Sequence, residues 1–306
     1  MDDSPEAIAG VTDLDMARTR ALVTGSTSGI GRAAAVALGR LGADVIVHGR
    51  DPDAGAAVVD EIARTDGTGR FIEADFADID AVRDLSAAVR AETDGLDLLI
   101  NNAGGLFREG RLTDIGVEYT FHVNHLAPYL LTSELLGHLR PGARVVTTAS
   151  AAHRGSSLDL DRVTRVDDYS SVRAYGHSKL ANVLFATELA RRLERAGREA
   201  TSNALHPGAI PGSGFGRFLP GPIPRLLRTL EAVPGVTSVA DGAAELLCAA
   251  CSSRLDGVSG RYLSGQRLAT PSDAARDPDA ARRLWTNSAD LLDIGEPLSD
   301  AGDGGV

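Results

Sequence analysis

A tyrosine and a lysine stand four residues apart in the run Tyr175-Gly176-His177-Ser178-Lys179. Residues four apart share one face of an α-helix, so the phenol and the ammonium would point into the same space. A phenol ordinarily has a pKa of about 10, which is too high for easy proton exchange at neutral pH. A nearby ammonium favours the phenolate and lowers that pKa. The pair therefore indicates a proton donor and acceptor, although this spacing alone is common on helix surfaces.

A glycine-rich run lies near the start of the chain: Thr24-Gly25-Ser26-Thr27-Ser28-Gly29-Ile30-Gly31. It follows a short apolar stretch and opens a helical pattern, the setting in which such a loop binds the pyrophosphate of a dinucleotide. Glycine lets the backbone approach an anion, and unpaired N–H groups at the start of the helix attract it. Every residue from Gly25 to Gly31 is therefore a candidate cofactor contact, with a plain β–α turn as the alternative.

The end of the second predicted strand bears on which dinucleotide this loop accepts. An acidic residue there hydrogen-bonds the adenosine ribose and repels a 2′-phosphate. The sequence has His48-Gly49-Arg50, so glycine takes the place of the acid, and the guanidinium that follows suits a phosphate. Asp51 is the ribose acid if the strand ends two residues later, but Pro52 after it favours Asp51 as a helix N-cap. We expect NADP(H), bound through Arg50, with NAD(H) less favoured.

These residues must be positioned by a regular alternation of strands and helices. Short apolar runs are typical of buried strands, and longer segments with helical periodicity separate them. Strands of this kind imply a parallel sheet with helices on both faces. The predicted strands cover 20–24, 44–48, 70–74, 96–100, 144–148, 201–205 and 261–263, and the predicted helices cover 31–41, 54–64, 79–91, 117–139, 175–196 and 238–250.

Composition excludes several classes of protein. The formal net charge of −11 argues against nucleic acid as a partner, because phosphate binding needs a basic surface. No apolar stretch is long enough to span a membrane, and no cluster has metal-ligand spacing, so we expect no metal. The two cysteines, Cys248 and Cys251, fall in the final turns of a predicted helix, where small core residues are a better interpretation than a redox pair. We expect a soluble, cytoplasmic protein.

Together, these motifs resemble the short-chain dehydrogenase/reductase family over Thr19 to Ile294. The spacing of the glycines, the run Asn101-Asn102-Ala103-Gly104 after the fourth strand and the Tyr–Lys pair carry this resemblance. It is sharper for the retinol-dehydrogenase-like and WW-domain-oxidoreductase-like branch. The strings that support the branch are Val123-Asn124-His125-Leu126, Ser150-Ala151-Ala152-His153, Ser178-Lys179-Leu180-Ala181-Asn182 and Leu205-His206-Pro207-Gly208.

The resemblance implies a catalytic tetrad of Asn124, Ser150, Tyr175 and Lys179. Tyr175 would be the general acid or base, and Lys179 would also hold the nicotinamide ribose. Ser150 would hydrogen-bond the substrate carbonyl oxygen; Thr147 and Thr148 are the alternatives for this role, but they belong to the strand itself. Asn124 would support a water-mediated proton relay.

The resemblance also implies further contacts to the cofactor. Asp75, after the third strand, resembles the acid that contacts adenine. The usual threonine a few residues after the Pro-Gly motif is missing, and Ser213 is its candidate replacement. The expected contacts outside the glycine-rich loop are Arg50, Asp75, Phe76, Asn102, Ala103, Gly104, Tyr175, Lys179, Pro207, Gly208 and Ile210.

The expected fold is α/β, a Rossmann-type doubly wound parallel sheet flanked by helices, in a single domain with a substrate lid. We expect a flexible acidic leader at 1–18, a catalytic domain at 19–264 with an apolar lid at about 209–234, a C-terminal appendix at 265–294 and a disordered tail at 295–306. A homodimer through the two long helices around 117–139 and 175–196 is expected by analogy with the family.

The implied activity is NADP(H)-dependent hydride transfer between the nicotinamide and a carbonyl or secondary alcohol of a small molecule. The apolar lid suggests a lipophilic or aromatic substrate, although its side chains are equally suited to packing on the body of the domain. Two alternatives remain open. An epimerase or lyase would use the same tetrad with the nucleotide retained, and a redox sensor would bind NADP(H) without turnover.

Overall fold

The computed structural model of the protein describes residues 3–208 and 237–299. Its strands are β1 (Arg20–Val23), β2 (Asp44–Gly49), β3 (Thr68–Glu73), β4 (Leu96–Asn101), β5 (Leu139–Thr148), β6 (Thr201–His206), β7 (Tyr262–Ser264) and β8 (Leu268–Ala269). Its α-helices are α1 (Pro5–Ala9), α2 (Gly29–Arg40), α3 (Pro52–Ile62), α4 (Ile79–Glu92), α5 (Tyr119–Phe121), α6 (Ala127–Leu135), α7 (Ser171–Arg195), α8 (Val239–Cys251) and α9 (Pro278–Leu291).

The strands form one sheet in the order β3-β2-β1-β4-β5-β6-β7-β8, and β1 to β7 run parallel. Neighbouring residues of a strand point to opposite faces. Leu22 therefore packs with α4, α6 and α7, whereas Ala21 and Val23 pack with α2, α3 and α8. This arrangement confirms the expected doubly wound α/β fold. The antiparallel strand β8, which pairs with β7, was not predicted.

The order of the strands reverses between β1 and β4. From β1 the chain proceeds outward to β2 and β3, then returns to place β4 on the other side of β1. The loops that follow β1 and β4 therefore diverge above the sheet and leave a crevice at the carboxyl ends of the strands. The glycine-rich run follows β1, and the Asn-Asn-Ala-Gly run follows β4, so the topology brings both motifs to this crevice.

The prediction of a flexible leader at 1–18 is wrong for the part that the structure describes. Helix α1 packs against α8, and Ala9, Val11 and Met16 are buried in the core on that face of the sheet. Glu6 also accepts a hydrogen bond from Arg40 of α2, with an Oε2–Nη2 distance of 2.8 Å. The prediction failed because it weighed the acidic residues of the segment above these three apolar ones. Burial of the three side chains offsets the conformational entropy that the segment loses when it becomes ordered.

The appendix at 265–294 packs onto the body through α9. Trp285 of α9 is buried against Tyr129 of α6 and Phe185 of α7, with ring centroids 5.0 and 5.8 Å away. The Tyr129 hydroxyl donates to the Trp285 carbonyl oxygen at 3.1 Å. Helix α9 therefore covers the face of α6 and α7 that carries these rings, and the homodimer expected through these helices does not have that face available.

The prediction of a disordered tail from 295 is wrong as far as residue 299. The Glu296 carboxylate lies 3.0 Å from the Arg192 guanidinium of α7 and accepts a hydrogen bond from Thr286 at 2.6 Å. Leu298 packs against the core cluster that contains α7. The ion pair with Arg192 and the apolar contact of Leu298 together hold this segment on the body. Arg192 is far from the segment in sequence, so the ion pair could not be predicted from local sequence.

The single helix predicted at 117–139 is divided into several pieces. After α5, residues His122–Leu126 form a π-helical turn in which the N–H of Ala127 bonds to the carbonyl of His122; α6 follows, and β5 begins as early as Leu139. Pro128 lacks the N–H that would bond to the carbonyl of Asn124 in a regular helix. The backbone around Asn124 is therefore widened, and such turns occur often at functional sites.

Cys248 is buried and Cys251 half-buried in the last turn of α8, as expected, and burial raises the pKa of the Cys251 thiol to about 12. Over 3–208 and 237–299, the structure contains no helix that combines the length and the apolar composition needed to cross a membrane. The predicted lid at about 209–234, with Ile210 and Ser213, lies outside the described residues.

Candidate active site

The glycine-rich loop approaches the loop after β4 without space for side chains. Gly25 has a φ of +63°, a left-handed conformation that glycine adopts without strain. A Cβ on Gly25 would lie 2.8 Å from the Cα of Ala103, and a Cβ on Gly31 would lie 2.5 Å from Nδ2 of Asn102. These close approaches explain the glycines, and the first turn of α2 then lines the crevice.

Asn102 and Thr24 join the two loops. The Thr24 hydroxyl accepts hydrogen bonds from the backbone N–H groups of Asn102, at 2.9 Å, and Ala103, at 3.0 Å. In return, Nδ2 of Asn102 donates to the Thr24 carbonyl oxygen at 3.0 Å. Asn102 therefore fixes the crevice through its side chain. Thr24 has the same task, and sequence analysis named it only as the first letter of the loop motif.

His48, which sequence analysis missed, supports the crevice from below. Its buried imidazole accepts at Nδ1 from the N–H of Gly25, at 3.2 Å, and Nε2 lies 3.2 Å from the Ala74 carbonyl oxygen. A backbone N–H can only donate, so the proton is on Nε2 and the ring is neutral. Burial lowers the pKa of His48 to about 4, which agrees with this state. Its ring also stacks on Phe76 at 4.5 Å.

Arg50 and Asp75 stand beside each other at the edge of the crevice. The Arg50 guanidinium lies 3.6 Å from the Asp75 carboxylate, and 58% of the Arg50 side chain is exposed. Asp51 accepts a hydrogen bond from the N–H of Ala54 at 3.0 Å and is the N-cap of α3, which begins at Pro52. The interpretation of Asp51 as a helix cap is confirmed, and Arg50, Asp51 and Asp75 all line the crevice.

The carboxyl end of β5 and the second turn of α7 bring together the predicted catalytic groups. Ser170 caps α7 by accepting from the N–H of Arg173, so the helix begins four residues earlier than predicted. Lys179 is buried, and its Nζ donates to the Thr148 carbonyl oxygen at 3.0 Å and lies 5.6 Å from the centre of the Tyr175 ring. The Tyr175 phenol is hydrogen-bonded to Ser150.

Burial sets the proton affinities of this pair. It raises the pKa of Tyr175, and the hydrogen bond with Ser150 only partly offsets the effect. Burial also lowers the pKa of Lys179 to about 8. Among the protein's own residues, desolvation is therefore the largest influence on the pKa of the phenol, and it disfavours the phenolate.

Asn124 lies behind the catalytic groups and clamps two segments together. Its Oδ1 accepts from the N–H of Gly105 at 2.8 Å, and its Nδ2 donates to the Gly105 carbonyl and to Oγ of Ser178, each at 2.9 Å. Ser178 in turn donates to the Tyr175 carbonyl oxygen at 2.8 Å. Both amide hydrogens of Asn124 are thus used by protein groups, so the side chain links the loop after β4 to α7.

His153, which the sequence analysis named only within the string Ser150-Ala151-Ala152-His153, has a structural role at the end of β5. Its Nδ1 lies 2.6 Å from the Ser150 carbonyl oxygen, and its Nε2 lies 3.1 Å from the backbone nitrogen of Ser272 in the appendix. Because Ser272 N–H can only donate, Nε2 accepts, and the proton on Nδ1 is donated to Ser150. His153 is fully buried and therefore connects the appendix to the end of β5.

A single cleft of about 980 Å³ contains nearly all of the predicted contacts. Among the described residues, Ser26 and Asn124 support its walls rather than line it. Within the described part of the chain, two buried polar atoms of residues that line the cleft have no hydrogen-bond partner, Oγ1 of Thr148 and Nδ1 of His206. The predicted residues that line it are Gly25, Thr27, Ser28, Gly29, Ile30, Gly31, Arg50, Asp75, Phe76, Asn102, Ala103, Gly104, Ser150, Tyr175, Lys179, Pro207 and Gly208.

The glycine cradle and these unpartnered atoms fit a bound dinucleotide, with its pyrophosphate on the first turn of α2 and its nicotinamide near Tyr175. Thr148 and His206 lie at the carboxyl ends of β5 and β6, on the side of the cleft that holds Tyr175. A polar ligand there would supply the hydrogen bonds that their buried atoms lack.

Comparison with proteins of known sequence agrees with this geometry. The profile of the short chain dehydrogenase family matches residues 19–216. The chain is 38% identical over 291 residues to polyprenol dehydrogenase of Mus musculus, covering 92% of this chain and 85% of that protein. It is 36% identical over 292 residues to retinol dehydrogenase 13 of Homo sapiens, covering 90% and 85% of the two chains.

Solved structures show the same relationship. A short chain dehydrogenase from Burkholderia cenocepacia in complex with NADP aligns with a TM-score of 0.65 and 28% identity, over 87% of this chain and all of that one. The angucycline C-6 ketoreductase LanV with bound NADP aligns with a TM-score of 0.64 and 27% identity, over 82% of this chain and 95% of that one. The chain therefore belongs to the short-chain dehydrogenase/reductase family, in its retinol-dehydrogenase-like branch, and is an oxidoreductase.

Proposed function

We propose that the protein reduces the carbonyl group of a lipophilic or aromatic ketone or aldehyde with NADPH, and that Tyr175 supplies the proton. The observation that carries the proposal is the arrangement of Ser150, Tyr175 and Lys179 at one end of a cleft whose other end holds the glycine-rich loop and Arg50. One dinucleotide spans this distance, with its nicotinamide beside the phenol.

The choice of NADPH rests on the residues at the end of β2. Gly49 offers no carboxylate to an adenosine ribose, and Asp51 is engaged as the N-cap of α3. Arg50 presents an exposed guanidinium at the cleft, and a 2′-phosphate would displace the carboxylate of Asp75 from it. Both solved relatives named above hold NADP, which supports the same choice.

Each catalytic side chain has a distinct task. Ser150 hydrogen-bonds the substrate oxygen, and the Tyr175 hydroxyl transfers its proton to that oxygen as negative charge develops. Lys179, held by the Thr148 carbonyl, binds the nicotinamide ribose and keeps a positive charge beside the phenol. Asn124 fixes the position of α7 through Ser178. The nicotinamide, when bound, supplies the hydride to the carbonyl carbon.

The substrate class follows from the walls near the tetrad. Phe107, Val123 and Ala151 line the cleft there, so an apolar carbonyl compound is favoured over a charged one. Relatives named for polyprenol, retinol and an angucycline, all with large apolar skeletons, point in the same direction.

The test is NADPH oxidation by the purified protein with a panel of retinal, decanal, acetophenone and fused-ring aromatic ketones. We expect turnover with an apolar member of the panel. Replacement of Tyr175 by Phe should lower kcat by about a hundredfold or more while NADPH fluorescence titrations still show binding. Conversion of substrate without net NADPH oxidation would support an epimerase or lyase instead. Full activity of the Tyr175→Phe variant would refute the role of Tyr175.

A further inference from the structure

Gly49, the last residue of β2, is packed against the side chain of Thr27 in the glycine-rich loop. A Cβ placed on Gly49 would lie 2.5 Å from Cγ2, 2.8 Å from Oγ1 and 3.2 Å from Cβ of Thr27. The first two separations are shorter than any real contact between such atoms. Position 49 therefore has no space for a side chain while Thr27 is in place.

The backbone does not require glycine at this position. Gly49 is a regular β-strand residue that pairs with Glu73 of β3, and its φ is not positive. Any residue adopts such a conformation. Contact with Thr27 alone explains the glycine.

Rotation of Thr27 does not relieve the contact. Two of the three substituent positions on its Cβ face residue 49, because both Oγ1 and Cγ2 lie within 3 Å of the added atom. Threonine has two heavy substituents and one hydrogen, so every staggered rotamer leaves at least one heavy atom in a facing position. Thr27 blocks position 49 in all three rotamers.

The loop that carries Thr27 is also held in place. The N–H of Ser26 donates to the His48 carbonyl at 2.9 Å, and the N–H of His48 donates to Oγ of Ser26 at 3.0 Å. The N–H of Gly25 donates to Nδ1 of His48 at 3.2 Å. These three hydrogen bonds connect the residues just before Thr27 to the residue just before Gly49. The glycine-rich loop and the end of β2 cannot move apart without breaking these hydrogen bonds.

We propose that Thr27 and Gly49 form a steric lock that determines cofactor choice. Thr27 fills the volume in which a strand-end carboxylate would hold the adenosine ribose of NADH, so the chain cannot become selective for NADH by changing residue 49 alone. The inference rests on the proposed use of NADPH and adds to Arg50 a second residue that determines specificity. It predicts that substitutions at positions 27 and 49 are strongly coupled.

The first experiment separates steric exclusion from charge. Gly49→Ala adds a single methyl group and no charge, and we expect it to weaken the binding of both NADPH and NADH, and to lower the melting temperature of the nucleotide-free protein. Because overpacking costs free energy, the affinity of Gly49→Ala for each nucleotide should fall about tenfold or more. Thr27→Ala in the Gly49→Ala background should restore most of the loss, because only the 3.2 Å Cβ contact remains. Thr27→Val is the matched control, since it keeps both branches and should restore nothing.

The second experiment tests cofactor choice. Gly49→Asp in the wild-type loop should bind neither nucleotide well, whereas Thr27→Ala with Gly49→Asp should bind NADH more tightly than NADPH by nicotinamide fluorescence. A Gly49→Asp variant that already prefers NADH would overturn the proposal. The proposal would also fail if Thr27→Ala with Gly49→Asp neither folded better nor bound nucleotide better than Gly49→Asp alone. If wild type prefers NADH, the proposed cofactor is wrong, and unchanged melting of Gly49→Ala would separately show that the steric lock is absent.

Discussion

The imidazole of His153 donates from Nδ1 to the carbonyl oxygen of Ser150 at 2.6 Å, while its Nε2 accepts from the N–H of Ser272. His153→Leu would remove the side-chain partner of the Ser272 N–H and one of the two hydrogen bonds that the Ser150 carbonyl accepts from residue 153, and we expect the free energy of unfolding to fall by about 2 kcal/mol and kcat to decrease. His153→Asn keeps a donor for Ser150 and should recover kcat without recovering all of the stability. Denaturant unfolding and steady-state kinetics measure the two effects. An unchanged kcat in His153→Leu would show that His153 only packs.

Arg50 and Asp51 are neighbours with different tasks, and substitution separates them. Arg50→Ala should weaken NADPH binding about tenfold and leave NADH binding unchanged, because only NADPH carries the 2′-phosphate. Asp51→Ala removes the hydrogen bond to Ala54 and should lower the free energy of unfolding by about 1 kcal/mol, with the same ratio of NADPH to NADH affinity. Fluorescence titrations and denaturant unfolding distinguish the outcomes. A shift in nucleotide preference in Asp51→Ala would contradict this assignment.

His125 makes the stability of the fold depend on pH. It is buried beside Phe121 and bonded to Ser288, and burial lowers its pKa to about 3. Between about pH 6.5 and that value, the unfolded chain binds a proton that the folded chain does not. Stability should therefore fall as the pH is lowered through this range, by at most about 1.4 kcal/mol per pH unit for each such histidine.

His125→Phe tests the contribution of this group. It keeps an aromatic ring and removes the titration. The slope of the unfolding free energy against pH should therefore decrease by up to about 1.4 kcal/mol per pH unit, the value for one proton. Other buried histidines, such as His48 and His177, should continue to titrate, since burial lowers the pKa of each to about 4. The variant and the wild type are compared by urea unfolding at pH 7.5 and 5.5 (values of about one unit either side of the ordinary histidine pKa). Equal slopes would exclude His125 as a contributor.

Trp285 holds the appendix onto the body. It is 2% exposed, it stacks on Phe185, and the guanidinium of Arg192 lies 4.8 Å from its ring centre. Trp285→Ala should lower the free energy of unfolding by about 3–5 kcal/mol, the usual cost of removing a large buried aromatic. Val172→Ala, at a position that is 69% exposed, is the control and should change it by less than about 0.5 kcal/mol. A similar stability for both variants would show that α9 is only loosely attached.

The sequence alone determined the class of fold and identified most of the residues that line the cleft. Strands β1 and β4 contain short apolar runs, and the glycine-rich loop, Asn102, Tyr175 and Lys179 form a combination of motifs that is specific when they occur together. These signals are local: each depends on residues within a few positions of one another, so it is visible without the fold. Asp51 as a helix cap was predictable for the same reason.

The tertiary structure decided what depends on contacts between distant segments. Three contacts join residues that are far apart in the chain: the hydrogen bond between His153 and Ser272, the support of Gly25 by His48, and the packing of Trp285 on Tyr129. The order of the leader also came from burial that its acidic composition did not reveal. The pKa of Tyr175 is a further case: the Tyr–Lys spacing reveals only the neighbouring ammonium, but desolvation by the whole fold raises the pKa of the phenol. Burial is a property of packing, and a local motif cannot encode it.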